Sequence, residues 1–167
     1  GSLIPAVAGV LQHYPTRQMA DGDAYLMNDP WSGGTHLPDL IVVHPVIHEG
    51  LPIALAATIL HHQDIGGISA GSIPPNATEI YQEGLRIPPL RWRTAGQLDD
   101  GVERLLCANS RTPGNLIGDL NAQWSAVSQG ASETVALRAR IGTGFQDICE
   151  ALLAQSERIT RDAPISR

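Results

Sequence analysis

The sequence predicts an α+β fold: a β-rich first half built on one hairpin, at about residues 40–47 and 52–60, then an antiparallel pair of helices. Three observations predict it. Two apolar runs rich in β-branched residues are split by the turn-forming His48-Glu49-Gly50. Apolar residues recur at spacings of three and four in the last third of the chain, the helical period. Gly (17) and Pro (12) are both abundant for 167 residues, which favours a loop-rich body over a plain helical bundle.

Leu3, Val7 and Leu11 share one face of a short helix over 3–12. Asp21-Gly22-Asp23 is a turn signal, followed by a strand at about 24–28. Residues 28–35 are a loop by composition. Pro45 lies inside the first apolar run, so that strand is expected at a sheet edge or to carry a bulge. Residues 66–76 hold too much Gly and Pro for regular structure, and Thr78 is read as the cap of a short helix through Glu83. Residues 93–101 are polar and read as a connector between two halves, 1–95 and 102–162, of one compact domain. Leu116, Leu120, Trp124, Val127, Ala131 and Val135 form one helical face; Gly142-Thr143-Gly144 ends that helix. Phe145, Ile148, Leu152, Gln155 and Ile159 define a second helix, expected to pack against the first.

A hydrophobic fraction of 43% and a charged fraction of 17% describe a folded domain with a real core. The net charge of -6 argues against nucleic acid and anionic membrane as partners. No apolar run reaches the roughly 20 residues that span a bilayer, and no leader-peptide pattern opens the chain. Cys107 and Cys149 form neither a disulfide framework nor a CxxC pair, so the expected location is the cytoplasm. All 11 basic residues are arginine. Without lysine the chain has no Walker-type phosphate loop and no Schiff-base nucleophile. No Ser/His/Asp triad or nucleophile elbow is present; Gly71-Ser72-Ile73 lacks the elbow's spacing.

The chemistry concentrates at the hairpin mouth. Four of the six histidines flank or sit in the hairpin. A ribbon turning near Glu49 pairs positions whose numbers sum to roughly 99. Thr35-His36-Leu37-Pro38-Asp39 then meets His61-His62-Gln63-Asp64 in space. Imidazoles with a carboxylate suit Zn, Mn or Fe rather than calcium, and three such ligands leave positions open, as a catalytic divalent metal needs. His36, His61 and Asp64 are the candidate ligands; by spacing alone, an ordinary polar loop hydrogen-bonded to backbone is the plainer account of them. Asp39 and His62 read as further ligands, as orienters of the ligand imidazoles, or as bystanders. His13, His44 and His48 read as structural or simply exposed. Glu79 and Glu83, four apart, would share one helix face as base or extra ligand; a solvated face is the plainer account. Arg86 and Arg91 suit bidentate binding of a phosphorylated intermediate, with plain surface arginine the commoner account; Asn28 opens the Gly-rich loop as a further binding candidate, and turn chemistry explains it equally well.

These residues also carry a family resemblance. The run from Asn28-Asp29-Pro30-Trp31 through Gly33-Gly34-Thr35-His36-Leu37-Pro38-Asp39 resembles the B-type subunit of N-methylhydantoinase. So do His61-His62-Gln63-Asp64-Ile65-Gly66-Gly67, Gly71-Ser72-Ile73-Pro74-Pro75 and the stretch from Thr78 to Pro89. Arg111-Thr112-Pro113 and the run from Gly118 to Gln123 continue the likeness into the helical half. The same pattern belongs to 5-oxoprolinase and to acetone and acetophenone carboxylases. The resemblance implies an ATP-dependent hydrolase of cyclic amides (hydantoin, 5-oxoproline, lactam) or a ketone carboxylase. It implies that ATP is bound by an A-type partner subunit, in keeping with the missing lysine, and that the B-type subunit is a homo-oligomer completing the reaction with a metal. It further implies a subunit longer than this chain at both ends, so an isolated 167-residue piece is expected to be inactive alone. The rival readings are a non-catalytic scaffold for the A-type partner and a metal-independent hydrolase using Glu79 or Glu83.

Overall fold

The computed structural model describes residues 3–163. Five antiparallel strands form one sheet in the order β3-β2-β1-β4-β5. They are β1 (Ala24–Met27), β2 (Asp39–His48), β3 (Leu51–His61), β4 (Leu90–Thr94) and β5 (Gln97–Leu98). Helix α1 (Leu3–His13) covers one face through Ala6 and Val10, which pack with Tyr25, Met27, Ile41 and Val43. Helices α2 (Asp100–Asn109) and α3 (Pro113–Ile141) cover the other, where Leu106, Leu116, Leu120 and Val127 meet Leu26, Leu40, Val42 and Trp92. A strand covered on both faces has no solvent side, which is why β2 reads as a nearly continuous apolar run instead of alternating.

The β2–β3 hairpin forms as the sequence predicts, each strand one residue longer at both ends. Its turn is Glu49-Gly50, both at positive φ (52° and 77°), the backbone of a two-residue turn whose twist suits a hairpin. Glutamate tolerates that conformation poorly. Glu49→Asn is therefore expected to raise stability by about 0.5 kcal/mol, read as a higher thermal midpoint with an unchanged sheet spectrum. Pro45 does not mark an edge, since β2 lies inside the sheet. The pairing of β2 with β1 ends at Val43, so at Pro45 that side of the ladder is already open. Nor does β2 carry the bulge; its partner does: Val46 pairs with Ala54 but Ile47 with Pro52, leaving Ile53 as an extra residue in β3.

Three other expectations are corrected. Residues 93–101 are not a plain connector: β4 and β5 form a second hairpin there, turning at Ala95-Gly96 (φ 49° and 80°). Asp99 then caps α2, its carboxylate accepting from the N–H groups of Gly101 and Val102. Thr78 starts no α-helix; only a 3-10 turn, Ile80–Gln82, follows. The last helix, α4 (Phe145–Asp162), does not fold back along α3 as an antiparallel partner. Phe145 is its one buried residue, and 150–163 are all exposed. The physical reason lies in α3, whose apolar stripe is already spent on the sheet through Leu116, Leu120, Val127 and Ala131. Among the described residues no helix is long and apolar enough to cross a membrane.

Candidate functional site

The candidate site sits at the open end of the β2–β3 hairpin and is set by register. Beyond the Ile53 bulge, paired positions sum to 100, and Asp39 lies directly opposite His61. Without the extra residue Asp39 would face Leu60, whose side chain points to the other face of the sheet. His36 is brought over this pair by a tight turn in which the Asp39 N–H donates to the His36 carbonyl (3.1 Å). Leu37, fully buried, pins the turn to the core. Gly33, in the left-handed region (φ 100°), lets the preceding loop touch α1: a Cβ there would come within 2.4 Å of the Pro5 carbonyl.

Three ligand-type atoms converge. His36 Nε2 lies 2.8 Å from Asp39 Oδ1. His61 Nδ1 lies 3.2 Å from the same oxygen and 3.3 Å from His36 Nε2. The imidazole centroids are 5.0 Å apart. Nitrogen and oxygen ligands about 2.0–2.2 Å from one cation are separated from each other by roughly 3.0–3.5 Å, so the trio fits a shared divalent ion. Both imidazoles are nearly half exposed (43% and 47%), which leaves the outer side of the cluster open to a substrate. The Thr35 hydroxyl donates to Asp39 Oδ2 (3.1 Å) and fixes the carboxylate plane. Partial burial pushes the Asp39 pKa up, but hydrogen bonds and charge from His36, with help from Thr35 and His61, outweigh it and hold the carboxyl below its ordinary value.

The structure engages the other expected ligands elsewhere. Asp64 does not join His36 and His61. Its buried carboxylate accepts from the backbone N–H groups of Gly66, Gly71 and Arg111, each at 3.0 Å, and pairs with the Arg111 guanidinium at 3.0 Å. Burial raises its pKa, yet those donors win and bring it down to about 2. Arg111 also donates to the carbonyls of Gly66, Gly67 and Ser69, so the pair ties the Gly-rich loop into one knot. His62 points to the opposite face from its neighbour, as alternation along an extended chain requires. It is fully buried against α3, its Nε2 2.9 Å from Gln123 Oε1, and burial lowers its pKa.

Asn28 is fully buried and structural. Its amide donates to the carbonyls of Leu37 (2.7 Å) and Leu85 (2.9 Å) and accepts from the Ile87 N–H (2.6 Å). Those bonds run the 85–87 segment alongside Leu37. The Arg86 guanidinium stacks on exposed Trp31 (5.2 Å) and Tyr81 (5.9 Å), 3.9 Å from Asp29. Glu79 and Glu83 flank the 3-10 turn, with Glu79 in extended backbone, so they do not share an α-helical face. Among the described residues the only group of three or more His, Cys, Asp or Glu placed to grip one cation is His36, Asp39 and His61. His44 takes the structural role expected of it, its Nδ1 2.6 Å from the Asp23 carbonyl. Arg111 and Gln123 are the contributors that sequence reasoning missed. Each meets its partner across 47 to 61 positions, and no local spacing announces such a contact.

Comparison with known proteins places this arrangement. The family model described as Hydantoinase B/oxoprolinase matches residues 1–164. The caprolactamase subunit beta of Pseudomonas jessenii is 39% identical over 149 residues, which are 89% of this chain and 26% of that protein. The 5-oxoprolinase of Dictyostelium discoideum is 40% identical over 110 residues, 66% of this chain and 9% of that one. The crystal structure of the ATP-dependent caprolactamase from Pseudomonas jessenii superposes with a TM-score of 0.87 at 36% identity, covering 98% of this chain and 29% of the other. The chain thus spans about a quarter of the length of the first of these curated relatives and about a tenth of the second. With a matching model over nearly its whole length and the motif residues gathered at one hairpin mouth, the chain belongs to the hydantoinase B/oxoprolinase family.

Proposed function

We propose that this chain is the metal-holding core of a B-type subunit that acts, with an ATP-binding A-type partner, on a cyclic amide activated by phosphorylation. The carrying observation is the convergence of His36 Nε2, Asp39 Oδ1 and His61 Nδ1 within hydrogen-bonding distance of one another, open on one side. These three residues would hold a Zn, Mn or Fe ion, which supplies Lewis acidity toward a carbonyl or phosphoryl oxygen. Asp39 contributes the negative charge and Thr35 keeps its plane fixed. Arg86, whose guanidinium carbon lies 5.2 Å and 5.9 Å from the Trp31 and Tyr81 ring centroids, would offer N–H donors to the phosphoryl or carboxylate group of the substrate. The absence of lysine leaves no Walker-type phosphate loop in these 167 residues, so ATP would be bound by a partner chain or by a further segment of the subunit. Likeness to a caprolactamase subunit favours a lactam over a hydantoin or a ketone as the substrate class.

The test is co-purification with an A-type partner followed by an ATPase screen against lactams, hydantoins and ketones. Lactam-stimulated ATP hydrolysis above that of the partner alone is expected; its absence with every substrate class would overturn the reading. In the active complex, Arg86→Ala should raise KM about 10–100-fold with a smaller change in kcat, and Arg86→Lys should recover part of the loss. An unchanged KM in Arg86→Ala would remove the anion-binding role.

A further inference from the structure

We propose that Gln123 is a positioning residue for the His36–Asp39–His61 cluster, a role that rests on reading that cluster as a metal centre. Gln123 is the one buried polar residue of α3 among the described residues, in a stripe otherwise made of Leu116, Leu120, Val127 and Ala131. A buried amide costs stability unless every polar atom is satisfied, and an apolar side chain would pack at that position without the cost. Its hydrogen bonds explain its presence. The amide Nε2 donates to the Leu40 carbonyl (2.9 Å) and to Thr58 Oγ1 (3.3 Å). Because a carbonyl only accepts, the amide nitrogen faces Leu40 and Oε1 faces His62, which must donate from Nε2 (2.9 Å).

Leu40 follows Asp39, and His62 follows His61. One side chain therefore grips the residue after each of two cluster members, on opposite strands, and anchors both to a helix packed on the sheet. The bond also sets the His62 ring as the Nε2–H tautomer. Its Nδ1 is left buried without a partner, a cost accepted beside the cluster and nowhere compensated locally. Supporting hydrogen bonds of this kind govern how well first ligands hold a metal.

The test compares Gln123→Met, which keeps length and helix preference but loses every hydrogen bond, with Val127→Ala, which weakens the same helix face four residues away. Zinc affinity is read by chelator competition, and the imidazole signals of His36, His61 and His62 by long-range nitrogen–proton NMR without metal. Gln123→Met is expected to lose about 10–100-fold in zinc affinity and to shift or broaden the His36 and His61 ring signals. Val127→Ala should leave both near wild type. If Gln123→Met behaves like Val127→Ala in both readouts, Gln123 only packs and the proposal falls. If the wild-type chain binds no zinc while its ring signals still respond to Gln123→Met, the metal reading fails and the positioning role stands.

Discussion

Asp39→Ala is expected to lower the affinity of the purified chain for added zinc by more than about 100-fold. The loss is electrostatic. Asp39 is the only carboxylate in the cluster, and both imidazoles lie within 3.2 Å of its Oδ1. Without it a divalent cation would be held by two neutral rings on a half-exposed surface, where water competes freely. The carboxyl is held below its usual range, so it stays ionised wherever an imidazole is neutral enough to offer a lone pair. Metal content after gel filtration, with zinc, manganese and iron measured together, reads the result. The comparison variant is Asp64→Ala assayed at low temperature, where its folded fraction should keep the metal. If Asp64→Ala lost the metal and Asp39→Ala kept it, the ligand role would return to Asp64.

The second large effect is on stability. Asp64→Ala is expected to destabilise the chain by about 3–5 kcal/mol, a fall in thermal midpoint on the order of 10 °C. Three backbone N–H groups and the Arg111 guanidinium would lose their shared acceptor in a site where the carboxylate is only 3% exposed. The same carboxylate makes stability depend on pH in one direction. Its pKa falls from 3.8 unfolded to about 2 folded, so its contribution is complete above the unfolded value and is lost as pH falls from about 4 toward 2. The shift corresponds to about 2 kcal/mol. Urea melts between pH 2 and 5 should therefore show the gap between wild type and Asp64→Ala narrowing by about 2 kcal/mol as pH falls from above 4 toward 2. Parallel curves across that range would show that Asp64 is not ionised in the knot.

The hairpin, the strand at 24, the long helix from 113 and the cluster's location at the ribbon mouth were legible in the sequence, because each rests on local spacing. Alternation and β-branching identify strands, and a three-four spacing identifies helices. His36, Asp39 and His61 could be nominated by residue type alone. Choosing Asp39 over Asp64 could not be done locally, because Asp64 sits closer in sequence to His61 and belongs to the same polar run. The second hairpin at Ala95-Gly96 was hidden for a related reason: its strands are short and polar at the ends, with no apolar run to announce them.

The sequence by itself determined which residues could carry charge, lone pairs and apolar faces: no lysine, six histidines, one hairpin of two apolar runs and two helical stripes. It also determined that a turn at Glu49-Gly50 would bring the two polar runs together. Only the tertiary structure decided which members of those runs face each other. One extra residue at Ile53 moves the register by a single step, and a single step exchanges the two faces of a strand. That step turns Asp39 toward His61. The alternation that follows turns His62 toward Gln123, and the folded Gly-rich loop commits Asp64 to Arg111.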